Sequence, residues 1–162
     1  MIMRITAKLG RKIHASPAKS LPADANPFSD WSARLFTAER TQYILVSNTA
    51  SLYSLVMYGK GITDGSIFLD RTLNFMGEFL RDDGFGLIFE KRIAPSSIRV
   101  SFSKALNQSV TGSMNDLVKL AKYDLIEGEK SPWETSLNLN QIPMSYLKYG
   151  YPRDAFVSLA QG

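Results

Sequence analysis

The sequence predicts an α+β fold: one compact domain over residues 1–162, with two main helices and a mostly antiparallel sheet, a mixed sheet being the alternative. Three observations predict it. Residues 42–47 and 51–58 are β-forming apolar runs separated only by Asn48-Thr49-Ala50, the pattern of paired strands. Leu69, Leu73, Met76 and Leu80 recur at helical spacing, and Phe68, Phe75 and Phe79 widen the stripe. A second stripe, Met114, Leu117, Val118, Ala121 and Leu125, follows further on, so hairpins and helices are segregated along the chain.

Taken in order, residues 3–6 read as a short strand and 7–13 as a helical turn. Residues 15–29, with three prolines, read as a loop that Leu21 and Phe28 tie inward. Asp30 reads as the N-cap of a short helix over 31–36. The hairpin 42–58 ends at Gly59-Lys60-Gly61, and Thr63-Asp64-Gly65-Ser66 opens the clearest helix, which Asp82-Asp83-Gly84 stops. Residues 86–92 and 98–103 read as further strands, and a strand–helix–strand crossover through 51–92 would make the sheet mixed. The second helix is expected over about 113–126, an irregular stretch over 131–150, and a last helix from Pro152 to Leu159.

Composition narrows the chemistry. The hydrophobic share is 44% and the charged share 21%, those of an ordinary globular protein rather than a disordered one. The longest apolar runs are far too short to span a bilayer. The absence of cysteine removes disulfides, thiolate nucleophiles and sulfur-based zinc sites, and fits a cytoplasmic location. A single histidine, His14, excludes a multi-histidine metal centre, so neither metal nor cofactor is expected. The net charge of +4 comes from the first half, where Arg4, Lys8, Arg11, Lys12 and Lys19 all precede the first acid. That stretch reads as a strand and a basic helix face rather than as a targeting segment, and it suits an anionic partner.

Chemistry is densest over 104–116, between a predicted strand and a predicted helix. Ser109 or Thr111 would cap the helix and Gly112 would allow a tight approach. Lys104, Ser109, Thr111, Ser113, Asn115 and Asp116 are the candidate ligand-binding residues, although a well-capped helix start accounts for most of the same motif. The spacing is not that of a phosphate loop. A second group, Arg11, Lys12, Trp31, Arg34 and Arg40, could meet a nucleic acid or a protein partner by charge and stacking, with Trp31 as a core anchor being the plainer reading. Asn138, Asn140 and Gln141 could read a peptide or base edge, or satisfy the backbone of a loop.

Several motifs carry a resemblance. Arg4-Ile5-Thr6-x-Lys8-Leu9, Leu21-Pro22-Ala23-Asp24, Trp31-x-Ala33-x-Leu35-Phe36-Thr37, Gln42-Tyr43-Ile44-Leu45, Ser109-Val110-Thr111-Gly112-Ser113-Met114-Asn115-Asp116 and Asn140-Gln141-Ile142-Pro143-Met144 together resemble an uncharacterised bacterial and archaeal family, catalogued as a domain of unknown function. The last two are also similar to segments of plasmid- and transposon-associated open reading frames. The resemblance implies a prokaryotic domain and assigns no catalytic residue. The expectation is therefore a small binding module for a nucleic acid or a partner protein. The alternatives are an oligomeric interaction domain, or an enzyme without cysteine, histidine or metal chemistry built on Lys104, Ser113 and Asp116.

Overall fold

The structure, a computed structural model, describes residues 1–161. Its centre is a five-stranded sheet in the order β4-β3-β2-β1-β5. The strands are β1 (Ile2–Ile5), β2 (Asp30–Ala38), β3 (Thr41–Asn48), β4 (Ser54–Tyr58) and β5 (Ser101–Ser103). β1 pairs parallel with β2 and with β5, whereas β2–β3 and β3–β4 are antiparallel. The fold is α+β and the sheet is mixed. The hairpin expected over 42–58 is present as β3 and β4.

Helices cover both faces. On one side α1 (Ala7–Ile13), α2 (Gly65–Asp82) and α6 (Pro152–Ser158) bury Leu9, Phe68, Phe79 and Phe156 against Met3, Trp31, Ile44 and Leu55. On the other, α4 (Gln108–Ile126) and α5 (Pro132–Leu139) bury Val110, Met114, Leu117 and Leu139 against Phe36, Leu45 and Val56. Burial of such side chains contributes about 2 kcal/mol each and drives the layering. α2 begins where expected, with the Asp64 side chain accepting from Ile67 N. It stops at Gly84, whose φ of +89° is a conformation that glycine adopts without a Cβ clash.

Four expectations are corrected. Residues 30–38 form the central strand β2, not a helix over 31–36, because Trp31, Ala33 and Leu35 enter one core while Phe36 and Ala38 enter the other. Residues 30–35 alternate polar and apolar, Asp-Trp-Ser-Ala-Arg-Leu, which is the period of a strand and not of a helix. Residues 86–92 are helical, not a strand: α3 (Gly86–Ile88) runs into a π-helical turn (Phe89–Ile93), and Phe89 and Ile93 are buried one turn apart. α4 starts at Gln108, and its cap is Asn107, which accepts from Val110 N at 2.9 Å, not Ser109 or Thr111. Residues 132–139 are a helix inside the stretch expected to be irregular, held by a reciprocal Ser131–Glu134 capping box with Pro132 in the first turn. Among the described residues no helix is long and apolar enough to cross a membrane.

Candidate functional site

Because β1, β2 and β5 are parallel, their C-terminal ends lie at one end of the sheet. Each then leads somewhere different. β1 passes through Thr6, whose side chain accepts from Leu9 N, into α1 on one face. β5 passes through Lys104–Asn107 into α4 on the other. β2 extends beyond β1 into a two-residue turn, Glu39-Arg40, with both φ values positive. Where connections diverge to opposite faces a crevice opens beyond the strand ends, the position at which open α/β sheets receive ligands. Here it is a cleft of about 500 Å³ with walls from Ile5, Thr6, Pro17 and Thr111 and with Arg11 and Lys104 at its sides.

One buried ion pair holds the walls of this cleft. Arg4 and Asp30 are almost wholly buried and meet through two hydrogen bonds, Nε to Oδ1 and Nη2 to Oδ2, both 2.8 Å. The remaining Arg4 N–H groups donate to the Leu21, Pro22 and Lys104 carbonyls and to Ser103 Oγ. Asp30 Oδ2 also accepts from Asp24 N. A buried charge is tolerable only when it is satisfied in this way. The consequence is positional: Arg4 ties the loop before Asp30 to the end of β5. Lys104 N donates to the Lys19 carbonyl at 3.1 Å, so two lysines distant in sequence are neighbours.

The basic residues singled out in the sequence collect at this end. Arg11 and Lys104 flank the cleft, Lys19 adjoins Lys104, and Arg40 sits at the tip of the β2–β3 turn. Lys12 Nζ donates to Gln42 Oε1 at the start of β3. Arg34 lines a small hollow of about 30 Å³, room for roughly one or two waters, behind Thr111, and donates to Asn115 Oδ1. Partial burial lowers the Arg34 pKa from its ordinary value, though an arginine keeps its charge at neutral pH. Trp31 is fully buried, with Nε1 donating to the Phe28 carbonyl, which leaves it no face for a ligand.

The 104–116 residues divide between two depressions. Lys104 and Thr111 belong to the cleft. Ser109, Ser113, Asn115 and Asp116 line a separate open groove between α4 and the turn at Ser145–Leu147, together with Lys119 and Tyr146. Ser113 Oγ is occupied by the Ser109 carbonyl at 2.9 Å. Lys104, Ser113 and Asp116 therefore do not share a pocket. Asn138 donates to Asp124, and Asn140 is buried against β4.

Sequence reasoning missed Arg4 and Asp30, the pair that shapes the cleft. The available signal was a basic residue flanked by Met3 and Ile5 in a strand, hence one whose side chain enters the opposite layer.

Comparison with curated proteins gives no match. A family model described as Domain of unknown function (DUF6933) matches residues 2–155. The match takes in the five strands, the cleft and the Arg4–Asp30 pair, and the chain belongs to this family.

Proposed function

We propose that this protein is a binding module for nucleic acid, with the phosphate backbone lying across the basic end of the sheet. The observation that carries the reading is the convergence of Arg11 and Lys104 from two separate segments on one cleft, with Lys19 next to Lys104, Arg34 behind the cleft and Arg40 at the tip of the adjoining turn. Lysine and arginine side chains gathered on one concave end attract polyanions and release their counterions. The cleft is held by the buried Arg4–Asp30 pair, so the cations are presented on a fixed frame. A cytoplasmic, prokaryotic setting near mobile elements is part of the same proposal, on the strength of the sequence motifs. A protein partner at the same surface is the second reading, favoured if the partner proves acidic.

The test is fluorescence anisotropy with a labelled 20-nucleotide single strand and the matching duplex, on the wild-type chain, on Arg11→Glu/Lys104→Glu, and on Arg99→Glu. Arg99 is exposed and precedes β5, at the opposite end of the sheet. The expected result is a loss of at least tenfold for the double variant and little change for Arg99→Glu. Equal affinity of all three proteins, or no binding at low salt, would contradict the proposal.

A further inference from the structure

The outer edge of β4 is closed by side chains rather than by a sixth strand. Along β4 and the residues flanking it, the backbone groups of Tyr53, Leu55, Met57 and Gly59 face β3: Asn48 N donates to the Tyr53 carbonyl, and Gly59 N to the Gln42 carbonyl. By alternation, the N–H and C=O groups of Ser54, Val56 and Tyr58 point away from the sheet. Asn140 takes both groups of Ser54, and Ser136 takes both groups of Val56. Asn140 and Ser136 are four apart in α5 and its cap, a rise of about 6 Å, which matches about 6.6 Å for two strand residues. The next residue in that row is Pro132, which has no polar side-chain group. The ladder stops there, and among the described residues nothing takes up the outward N–H and C=O of Tyr58.

Beside this open pair lies a pocket of about 360 Å³, with walls from Met57, Phe75, Pro132 and Trp133. Arg71 stands at its side, donating to the Lys60 carbonyl and, among the described residues, paired with no carboxylate. We infer that this corner is a docking site for an extended peptide segment of a partner protein, in which an apolar residue and an acidic one stand two positions apart, on one face of the strand. The peptide backbone adds to Tyr58 as a short strand, giving one donor and one acceptor. Its apolar side chain enters the Phe75–Trp133 pocket, and its carboxylate meets Arg71, the one charged group in the lining. In the antiparallel orientation both groups of Tyr58 pair with the N–H and C=O of one internal residue of the ligand.

The test is selection of a random octapeptide library, blocked at both ends, on the immobilised full-length chain. Enriched peptides are then titrated into 15N-labelled protein. The expected result is enrichment of peptides with an acidic and an apolar residue two positions apart, with shifts at the Tyr58 amide and the Trp133 indole. Affinity falls at least tenfold in Arg71→Gln and in Tyr58→Pro, which removes the N–H at an edge position where proline is tolerated. Were Tyr58→Pro to unfold, Arg71→Gln alone decides. No enrichment over a protein-free support, shifts confined to the cleft at Lys104, or binding that survives Arg71→Gln would overturn the inference.

Discussion

The carboxamide of Asn140 pairs with the backbone of Ser54 as a neighbouring strand would: Ser54 N donates to Oδ1 at 2.7 Å, and Nδ2 donates to the Ser54 carbonyl at 2.9 Å. Asn140 is 2% exposed, so neither Ser54 group has water as a substitute partner. Asn140→Ala leaves a buried donor and a buried acceptor unpaired and is expected to destabilise by about 2–4 kcal/mol. Urea unfolding checks this: the midpoint falls and the slope is unchanged. A midpoint within error of wild type would contradict the side-chain ladder.

Arg4 and Asp30 give a second prediction. Arg4→Met strands a carboxylate in the interior and is expected to cost about 3–5 kcal/mol. Arg4→Met/Asp30→Leu removes the stranded charge and recovers part of that loss. The recovery is incomplete because the Leu21, Pro22 and Lys104 carbonyls still lack their donor. Thermal melts of the three proteins order them wild type, double variant, single variant.

Tyr53 sets an alkaline limit. Its hydroxyl is buried and donates to Asp83 Oδ2 at 2.7 Å, and burial, followed by this bond and the Asp83 charge, pushes its pKa far above the ordinary 10.0. Above pH 10 the unfolded chain releases this proton and the folded chain keeps it. The contribution is therefore fully present below pH 10 and declines as pH rises beyond it. The difference in urea midpoint between wild type and Tyr53→Phe, measured at pH 8 and pH 11, is expected to shrink at the higher pH. A difference that grows would contradict the assignment.

Gly10 fixes the turn that walls the cleft. A Cβ at this position would lie 2.4 Å from the Ala15 carbonyl oxygen, while Ala15 N donates to the Gly10 carbonyl. Gly10→Ala must push residues 15–17 outward, at an expected cost of about 1–3 kcal/mol. Amide chemical shifts should change at Ala15, Ser16 and Lys104 and stay unchanged around Asn140.

The parts of the fold legible in the sequence are those whose burial is one-sided or whose ends carry a local signal. α2 shows an apolar stripe, an Asp64 cap and a Gly84 stop, and each is present in the structure. β2 carries a strand signal, the polar–apolar alternation from Asp30 to Leu35, but Asp30, whose carboxylate is spent on Arg4, imitates a helix cap and masks it. The start of α4 was read late because Ser109, Val110, Thr111 and Gly112 are poor helix formers. Burial of Val110 and the Asn107 cap outweigh that propensity. α5 lies in a stretch that reads as irregular because of its prolines, although Ser131-Pro132-Trp133-Glu134, a capping box with proline in the first turn, is the local signal of its start.

For the candidate site, charge was legible and geometry was not. Arg11 and Lys104 stand out as cations in the sequence, but only the parallel pairing of β1 with β5 makes them neighbours. No spacing rule links residues so far apart. The 104–116 stretch is continuous in sequence, yet winding it into α4 splits it between two depressions. Its chemical density as a string is therefore no guide to its density in space.

The measurement that tests the central claim most directly is the salt dependence of oligonucleotide binding. Affinity for the 20-nucleotide single strand is measured between 50 and 300 mM NaCl, and its logarithm is plotted against that of the salt concentration. Cations meeting phosphates at the basic end predict a slope of about −2 to −3, reduced by about 1 to 1.5 in Arg11→Glu/Lys104→Glu. A slope near zero, or one that the double variant leaves unchanged, would contradict the account.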